Sequence, residues 1–209
     1  MMFAMAFTGW PVEGVEFFEG LESDNTKAYW QAHKSVYEQD VKAPMEELLA
    51  ELEDEFGAGR VFRPYRDVRF SNDKTPYKLN CAAHLPGGYL SFSAEELFVG
   101  SGLYMPDPDA LRRYRAAVDG ASSGAELESI VATLQKHRYD VGAHDVLKTA
   151  PRGYAKDHPR IELLKQKGIV MSKAWPVGAW LSTRKAKDRV VTGLRAARPL
   201  NAWIERYVG

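Results

Sequence analysis

Four short runs rich in β-branched and aromatic residues follow one another in the middle of the chain, at residues 61–68, 78–85, 89–93 and 97–103. No stretch between them is long enough for a helical crossover. Parallel strands need a crossover of about a dozen residues or more, so these runs must pair antiparallel. Pro86-Gly87-Gly88 supplies hairpin chemistry between the second and third runs, and Ala94-Glu95-Glu96 serves the same end before the fourth. Helical periodicity takes over on both sides. Upstream, Val15, Phe17, Phe18 and Leu21 mark one short helix, and Ser23-Asp24-Asn25 provides turn and cap residues. A second helix carries Tyr29, Trp30, His33, Val36, Tyr37 and Val41. It should kink or restart at Pro44 and then run through Met45, Leu48, Leu49, Leu52 and Phe56 to the stop at Gly57-Ala58-Gly59. Downstream, Asp107 or Asp109 can cap a helix through Leu111, Tyr114 and Val118. Ser122 or Ser123 can cap the next, which carries Leu127, Ile130, Val131 and Leu134. Short strands are expected at 139–141, 146–148 and 169–175, and a short helix runs from His158-Pro159 to Gly168. The last helix is basic and restarts at Pro199. The pattern predicts an α+β fold, an antiparallel meander sheet packed with N-terminal and C-terminal helices, in one domain over residues 1–209.

Composition narrows the class. Of 209 residues, 45% are hydrophobic and 27% charged, which excludes disordered, collagen-like and disulfide-scaffold chains. Cys81 is the single cysteine, so it forms neither an internal disulfide nor a multi-cysteine zinc site. No apolar run reaches the length of a membrane span. The opening MMFAMAFTGW lacks a basic leader and runs into Trp10-Pro11, so it reads as part of the fold, and a cytoplasmic location is expected. The formal net charge is zero, but its distribution is uneven. Residues 1–60 hold thirteen acidic and four basic side chains, and residues 151–209 hold the reverse. Acidic and basic helices packed side by side account for this, as does a basic face for an anionic partner. The absence of a net basic excess argues against nucleic acid.

The densest chemistry lies in Arg63-Pro64-Tyr65-Arg66-Asp67-Val68-Arg69-Phe70-Ser71-Asn72-Asp73-Lys74-Thr75-Pro76-Tyr77-Lys78. If 63–69 is extended, alternation puts Arg63, Tyr65, Asp67 and Arg69 on one face, and Arg66 on the other with Pro64 and Val68. Phe70 ends the run, and Asn72-Asp73 turns the chain. Two carboxylates face five cations. One reading is an internal ion-pair network centred on Asp67, with acidic residues of the first helices (Glu22, Asp24, Glu38, Asp40) supplying the remaining counter-charge. The other is an anion site, in which the surplus cations hold a phosphate or carboxylate through arginine forks and a lysine point charge.

The string R-x-x-R-D-x-R-F-x-x-D-K-x-x-Y, from Arg63 to Tyr77, resembles the hallmark of the bacterial DUF2461 family. The likeness also takes in Phe17-Phe18, residues 25–30 and 100–106, the segment 147–154 and Asp157-His158-Pro159. It implies a single bacterial domain of similar length. The biochemistry of that family is not established, so the resemblance supplies no reaction, cofactor or set of catalytic residues.

A second cluster, residues 151–159, offers Arg152, Lys156 and His158. Histidine is the side chain there that titrates near neutrality, so His158 can serve ligand binding or acid–base work, or simply cap the helix that follows. His33 sits among aromatic residues. Cys81 and His84 point to opposite faces of a strand, and no spacing fits a metal motif. Gly100-Ser101-Gly102 is neither a nucleophile elbow nor a phosphate loop. The run 184–189 with Arg195 and Arg198 reads as a solvated basic helix face. Two clusters therefore form the candidate ligand-binding set: Arg63, Arg66, Asp67, Arg69, Asp73, Lys74 and Tyr77, with Arg152 and His158. No metal is expected. The cofactor, the oligomeric state and any reaction stay open. Three readings follow: an anion-binding domain with or without catalysis, a protein-interaction module in which the hallmark is structural, and a nucleic-acid binder using the basic C-terminal quarter. The two clusters form one site if a shared anion supplies their missing charge.

Overall fold

The computed structural model describes residues 6–69 and 71–209; the first half of the opening apolar stretch and Phe70 lie outside the described residues. Helix α1 spans Val12–Ser23, α2 Lys27–Val36 and α3 Ala43–Phe56. Strands β1 (Arg60–Val61), β2 (Asn80–Leu85), β3 (Gly88–Ser93) and β4 (Glu96–Leu103) follow. Then come α4 (Pro108–Asp119), α5 (Ala121–Lys136), β5 (Asp140–Gly142), α6 (Ile161–Lys165), β6 (Ile169–Pro176) and α7 (Lys185–Tyr207). The fold is α+β. The strand order is β1-β2-β3-β4-β6-β5, so the first four strands form the expected meander and the last two are added in reversed order. In the β2–β3 hairpin Cys81 pairs with Phe92 and Leu85 with Gly88, which leaves Pro86-Gly87 as the turn. Ser93 Oγ accepts the N–H groups of Glu95 and Glu96, each at 3.2 Å, and shapes the turn into β4.

The chain divides into two compact units, each discontinuous in sequence. The first holds residues up to Val99 with Ala174–Thr192, and the second Gly100–Lys173 with Gly193–Gly209. Aromatic packing dominates the first core. Trp10 stacks on Phe92 with centroids 5.0 Å apart, and Phe18 meets the same ring edge-on at 5.6 Å. Trp30 and Tyr37 are buried beside them. In the second unit Tyr114, Leu127, Leu134, Leu164, Met171, Leu200 and Trp203 form the core. His158 there is engaged at both ring nitrogens. Its Nδ1 accepts the Arg160 N–H at 3.0 Å, so its Nε2 lies against Asp119 at 3.1 Å as a donor.

Several helix ends depart from expectation. The helix restarts at Pro44 as expected: α3 begins at Ala43 with the proline in its first turn. What the sequence does not announce is the π-helical segment, Tyr37–Lys42, that joins α2 to α3, with the Ala43 N–H reaching back to the Glu38 carbonyl. A proline four residues on cannot donate to the Asp40 carbonyl and crowds it, and widening the turn relieves that conflict. The segment's carbonyls find other neighbours: Trp10 Nε1 donates to the Val41 carbonyl at 3.1 Å. Gly14 of α1 approaches the Asp40 carbonyl so closely that a Cβ would stand 2.6 Å from the oxygen. Pro199, by contrast, does not restart α7, which runs unbroken through it. Burial of Ala197, Leu200 and Trp203 outweighs the lost hydrogen bond. Asp107 caps α4, accepting from Asp109 and Ala110. Neither serine caps α5; Ser123 Oγ donates instead to the Ala117 carbonyl at 2.6 Å. The strand expected at 146–148 is reduced to one bridge, Val146 with Gln166.

Part of the uneven charge is settled inside the first unit. Glu51 of α3 accepts the Phe7 N–H at 2.8 Å and pairs with Lys187 at 2.6 Å and Arg184 at 3.2 Å. The Lys187 ammonium, aided by that N–H, lowers the carboxyl pKa from its ordinary 4.5 although partial burial opposes the shift. A depressed carboxyl contributes stability that is full above its ordinary pKa and is lost as pH falls through the folded value. Acid titration of the unfolding free energy should therefore show a decline beginning near pH 4.5, and Glu51→Gln should flatten it. Equal slopes for the two proteins would show that Glu51 does not carry the linkage.

Candidate functional site

The hallmark segment is extended without being a regular strand beyond β1. The Phe62 N–H donates to the Ala82 carbonyl at 2.8 Å, continuing the β1–β2 pairing for one residue. The chain then pairs with itself. Tyr65 faces Tyr77 in an isolated antiparallel bridge, flanked by Arg66 N–H to Pro76 carbonyl at 2.9 Å and Lys78 N–H to Pro64 carbonyl at 2.8 Å. Asn25 anchors the return arm. Its Nδ2 donates to the Tyr77 carbonyl at 3.0 Å and its Oδ1 accepts the Tyr77 N–H at 3.1 Å, so one side chain completes the ladder. Tyr77 stacks on Trp30 with centroids 4.3 Å apart and planes 7° apart. The alternation is as expected: Arg63, Tyr65, Asp67 and Arg69 are exposed, and Pro64, Arg66 and Val68 are partly covered.

The hallmark charges are distributed in a definite way. Asp67 binds Arg69 through both carboxylate oxygens, at 2.9 and 2.7 Å. The fork lies in solvent and lowers the Asp67 pKa, helped by the Arg69 N–H and the charge of Arg63. Asp67 is thus not the centre of a buried network. Arg66 donates to Asp73 and to the Thr75 hydroxyl. The Asp73 carboxyl is held at about 2, first by the Thr75 N–H and then by Arg66 and the Thr75 hydroxyl. Lys74 donates to the Val68 carbonyl at 2.9 Å, and Lys78 lies 5.4 Å from the centre of the Phe62 ring. Arg63 differs: among the described residues it makes no ion pair or hydrogen bond. None of Glu22, Asp24, Glu38 and Asp40 forms an ion pair with a hallmark cation among the described residues, and Glu38 is taken up by Lys42.

These roles predict unequal effects. Asp67→Ala should leave the denaturation midpoint nearly unchanged, because an exposed ion pair contributes little. Asn25→Ala should cost about 1–3 kcal/mol, since it strands two backbone groups at Tyr77. Urea unfolding of the two variants checks both; a larger loss for Asp67→Ala would mean that its fork holds the segment in place.

The segment lies against two hollows of the first unit. One, of about 700 Å³, is walled by α2, the π segment and α3 on one side and residues 59–65 on the other. Arg63 and Tyr65 line it with Trp30, Lys34, Tyr37, Glu38, Lys42, Glu46, Glu53, Arg60 and Phe62. Lys42 is bonded to Glu38 at 3.2 Å and to Glu46 at 3.5 Å, which leaves Lys34, Arg60 and Arg63 with Glu53. The other hollow, of about 540 Å³, receives Arg66, Asp73, Thr75, Tyr77 and Lys78 with Glu22 and Asn25. Asp67, Arg69 and Lys74 line neither hollow. Arg152 and His158 belong to the second unit, where Arg152 is exposed and His158 is held as described.

The helical half of the first hollow was not singled out in the sequence, although a signal exists. Lys34, Glu38, Lys42 and Glu46 recur every fourth residue with alternating sign, which marks one helix face. Helical spacing of Trp30 and Tyr37 marks an apolar face and gives no sign of a site. Tyr37 does pack: it is buried, and burial pushes the nearby Cys81 thiol up to about 12. Among the described residues no group of three or more histidine, cysteine or carboxylate side chains is placed to hold a metal ion, and no helix is long and apolar enough to cross a membrane.

The model of a family of conserved hypothetical proteins, DUF2461, matches residues 13–203, and the chain belongs to that family. No curated protein matches it.

Proposed function

We propose that this protein binds a small molecule bearing a phosphate or carboxylate, with Arg63 as the anchoring cation in the 700 Å³ hollow. The observation that carries the reading is the unequal fate of the hallmark cations. Arg66 and Arg69 each hold a hallmark carboxylate and Lys74 a carbonyl, whereas Arg63 lines an open hollow with Lys34 and Arg60 and bonds none of them. A guanidinium so placed presents its donor fork to an incoming anion. The volume lies within the range of small-molecule sites. The hallmark thus has two parts, a structural one built on Arg66, Asp73, Thr75 and Tyr77, and a binding one built on Arg63 and Tyr65. His158 has no free ring nitrogen with which to act as a base, so the proposal assigns it no acid–base role.

Nucleic acid does not enter the proposal. Within their own units Lys187 is paired with Glu51, Arg206 with Glu126, and Arg189 lies 4.0 Å from the Trp180 ring centre, which divides the basic character of the C-terminal quarter.

Thermal shift with inorganic phosphate and citrate tests the reading. The wild type and Arg69→Ala should be stabilised alike, and Arg63→Ala should lose the shift. Equal stabilisation of all three proteins would place the anion elsewhere.

A further inference from the structure

We infer that the ligand of this hollow carries a planar aromatic ring next to its anionic group, the class that includes nucleoside monophosphates and aryl phosphates; the inference rests on the anion reading above. A bare phosphate would use the cations and leave most of the cavity unfilled. Beside its charged and aliphatic residues the wall carries four aromatic ones, Trp30, Tyr37, Phe62 and Tyr65. Tyr65 is the informative one. The residue is 48% exposed, although its ring is backed by two buried rings, Trp30 at 6.0 Å and Tyr77 at 5.5 Å. A large aromatic face is thus open to solvent on a fixed support. The support is fixed by the Tyr65–Tyr77 bridge and by the clamp from Asn25.

Spacing links that face to the cation. Arg63 and Tyr65 are two residues apart on an extended segment, on the same face, so their Cα atoms stand about 7 Å apart. A ring stacked on Tyr65 and an anionic group attached to it through a short linker fit that separation. Arginine and aromatic side chains side by side also serve such ligands twice over, because the guanidinium binds the anion and can stack on the ring.

Isothermal titration with AMP, phenyl phosphate and ribose 5-phosphate tests the inference. AMP or phenyl phosphate should bind at least tenfold more tightly than ribose 5-phosphate. Tyr65→Ala should weaken AMP and phenyl phosphate at least tenfold more than ribose 5-phosphate and so abolish that preference, and Tyr65→Phe should keep it. Arg63→Ala should weaken all three ligands. Because Tyr65 is half exposed, its variants should retain the wild-type circular dichroism and melting curve, and Tyr65→Phe guards against a folding defect in the alanine variant. Equal affinities for aromatic and non-aromatic phosphates overturn the ring inference and leave the anion reading standing. Binding of none of the three by the wild type overturns both, as does binding that Arg63→Ala leaves intact.

Discussion

Gly9→Ala should lower the unfolding free energy by about 2–6 kcal/mol, the sum of backbone strain and overpacking at a buried site. Gly9 has φ +118°, a conformation that residues with a Cβ rarely adopt. An added Cβ would stand 2.3 Å from Thr183 N, 2.4 Å from Ser182 C and 2.6 Å from the Leu181 carbonyl oxygen. All three are backbone atoms, so no rotamer change relieves the clash. The next residue, Trp10, donates its N–H to that same Leu181 carbonyl at 3.0 Å and its indole N–H to the π segment. Displacement at Gly9 therefore reaches the wall of the candidate site. A domain's whole stability is about 5–15 kcal/mol, so the loss is a large fraction of it. Chemical denaturation measures it; a change below about 1 kcal/mol would show that the 181–183 loop yields freely.

Trp30→Ala should cost about 3–5 kcal/mol, as truncating a buried large aromatic does. Trp30 is 2% exposed and packs against Phe17, Tyr37, Tyr65 and Tyr77. It connects the helical layer to both arms of the hallmark. Its loss should loosen residues 63–78 first, seen as faster amide exchange there than in β2 and β3. Trp30→Phe should cost much less, since most of the packing remains and the indole N–H has no hydrogen bond to lose. If the two substitutions cost the same, Trp30 holds its place by something other than packing.

The sequence made the meander legible because hairpins are local. Turn residues and alternation placed β2, β3 and β4 within two residues of their observed limits. The 61–68 run is extended, as its pattern predicts, but after Val61 and Phe62 pair with β2 its partner at 64–66 is its own return arm, and that pairing depends on Asn25 from another part of the chain. The β4-β6-β5 order is likewise set by contacts distant in sequence. The two prolines behave differently: α3 restarts with Pro44 in its first turn, whereas α7 runs on through Pro199. At Pro44 the strain moved upstream into the π segment, whose carbonyls are approached by Gly14 and bonded by Trp10. At Pro199 burial of the flanking apolar side chains kept the helix whole.

The candidate site was half legible. The excess of cations in the hallmark is plain from composition, and period-two alternation assigned Arg63 and Tyr65 to one face. Which cation would be left for a ligand was not, because that depends on turn geometry: the Asp73–Thr75 turn takes Arg66, and a fork between neighbours two apart takes Arg69. The helical wall carries no local signal of a site, because each of its charges, taken singly, resembles an ordinary solvated helix face.

Titration of isotope-labelled protein with inorganic phosphate, followed through the arginine side-chain Nε–Hε signals, tests the central claim most directly. The signal of Arg63 should shift progressively and saturate, while those of Arg66 and Arg69, already held by Asp73 and Asp67, stay nearly still. A saturating shift confined to other arginines, or no saturating shift at all, would contradict it.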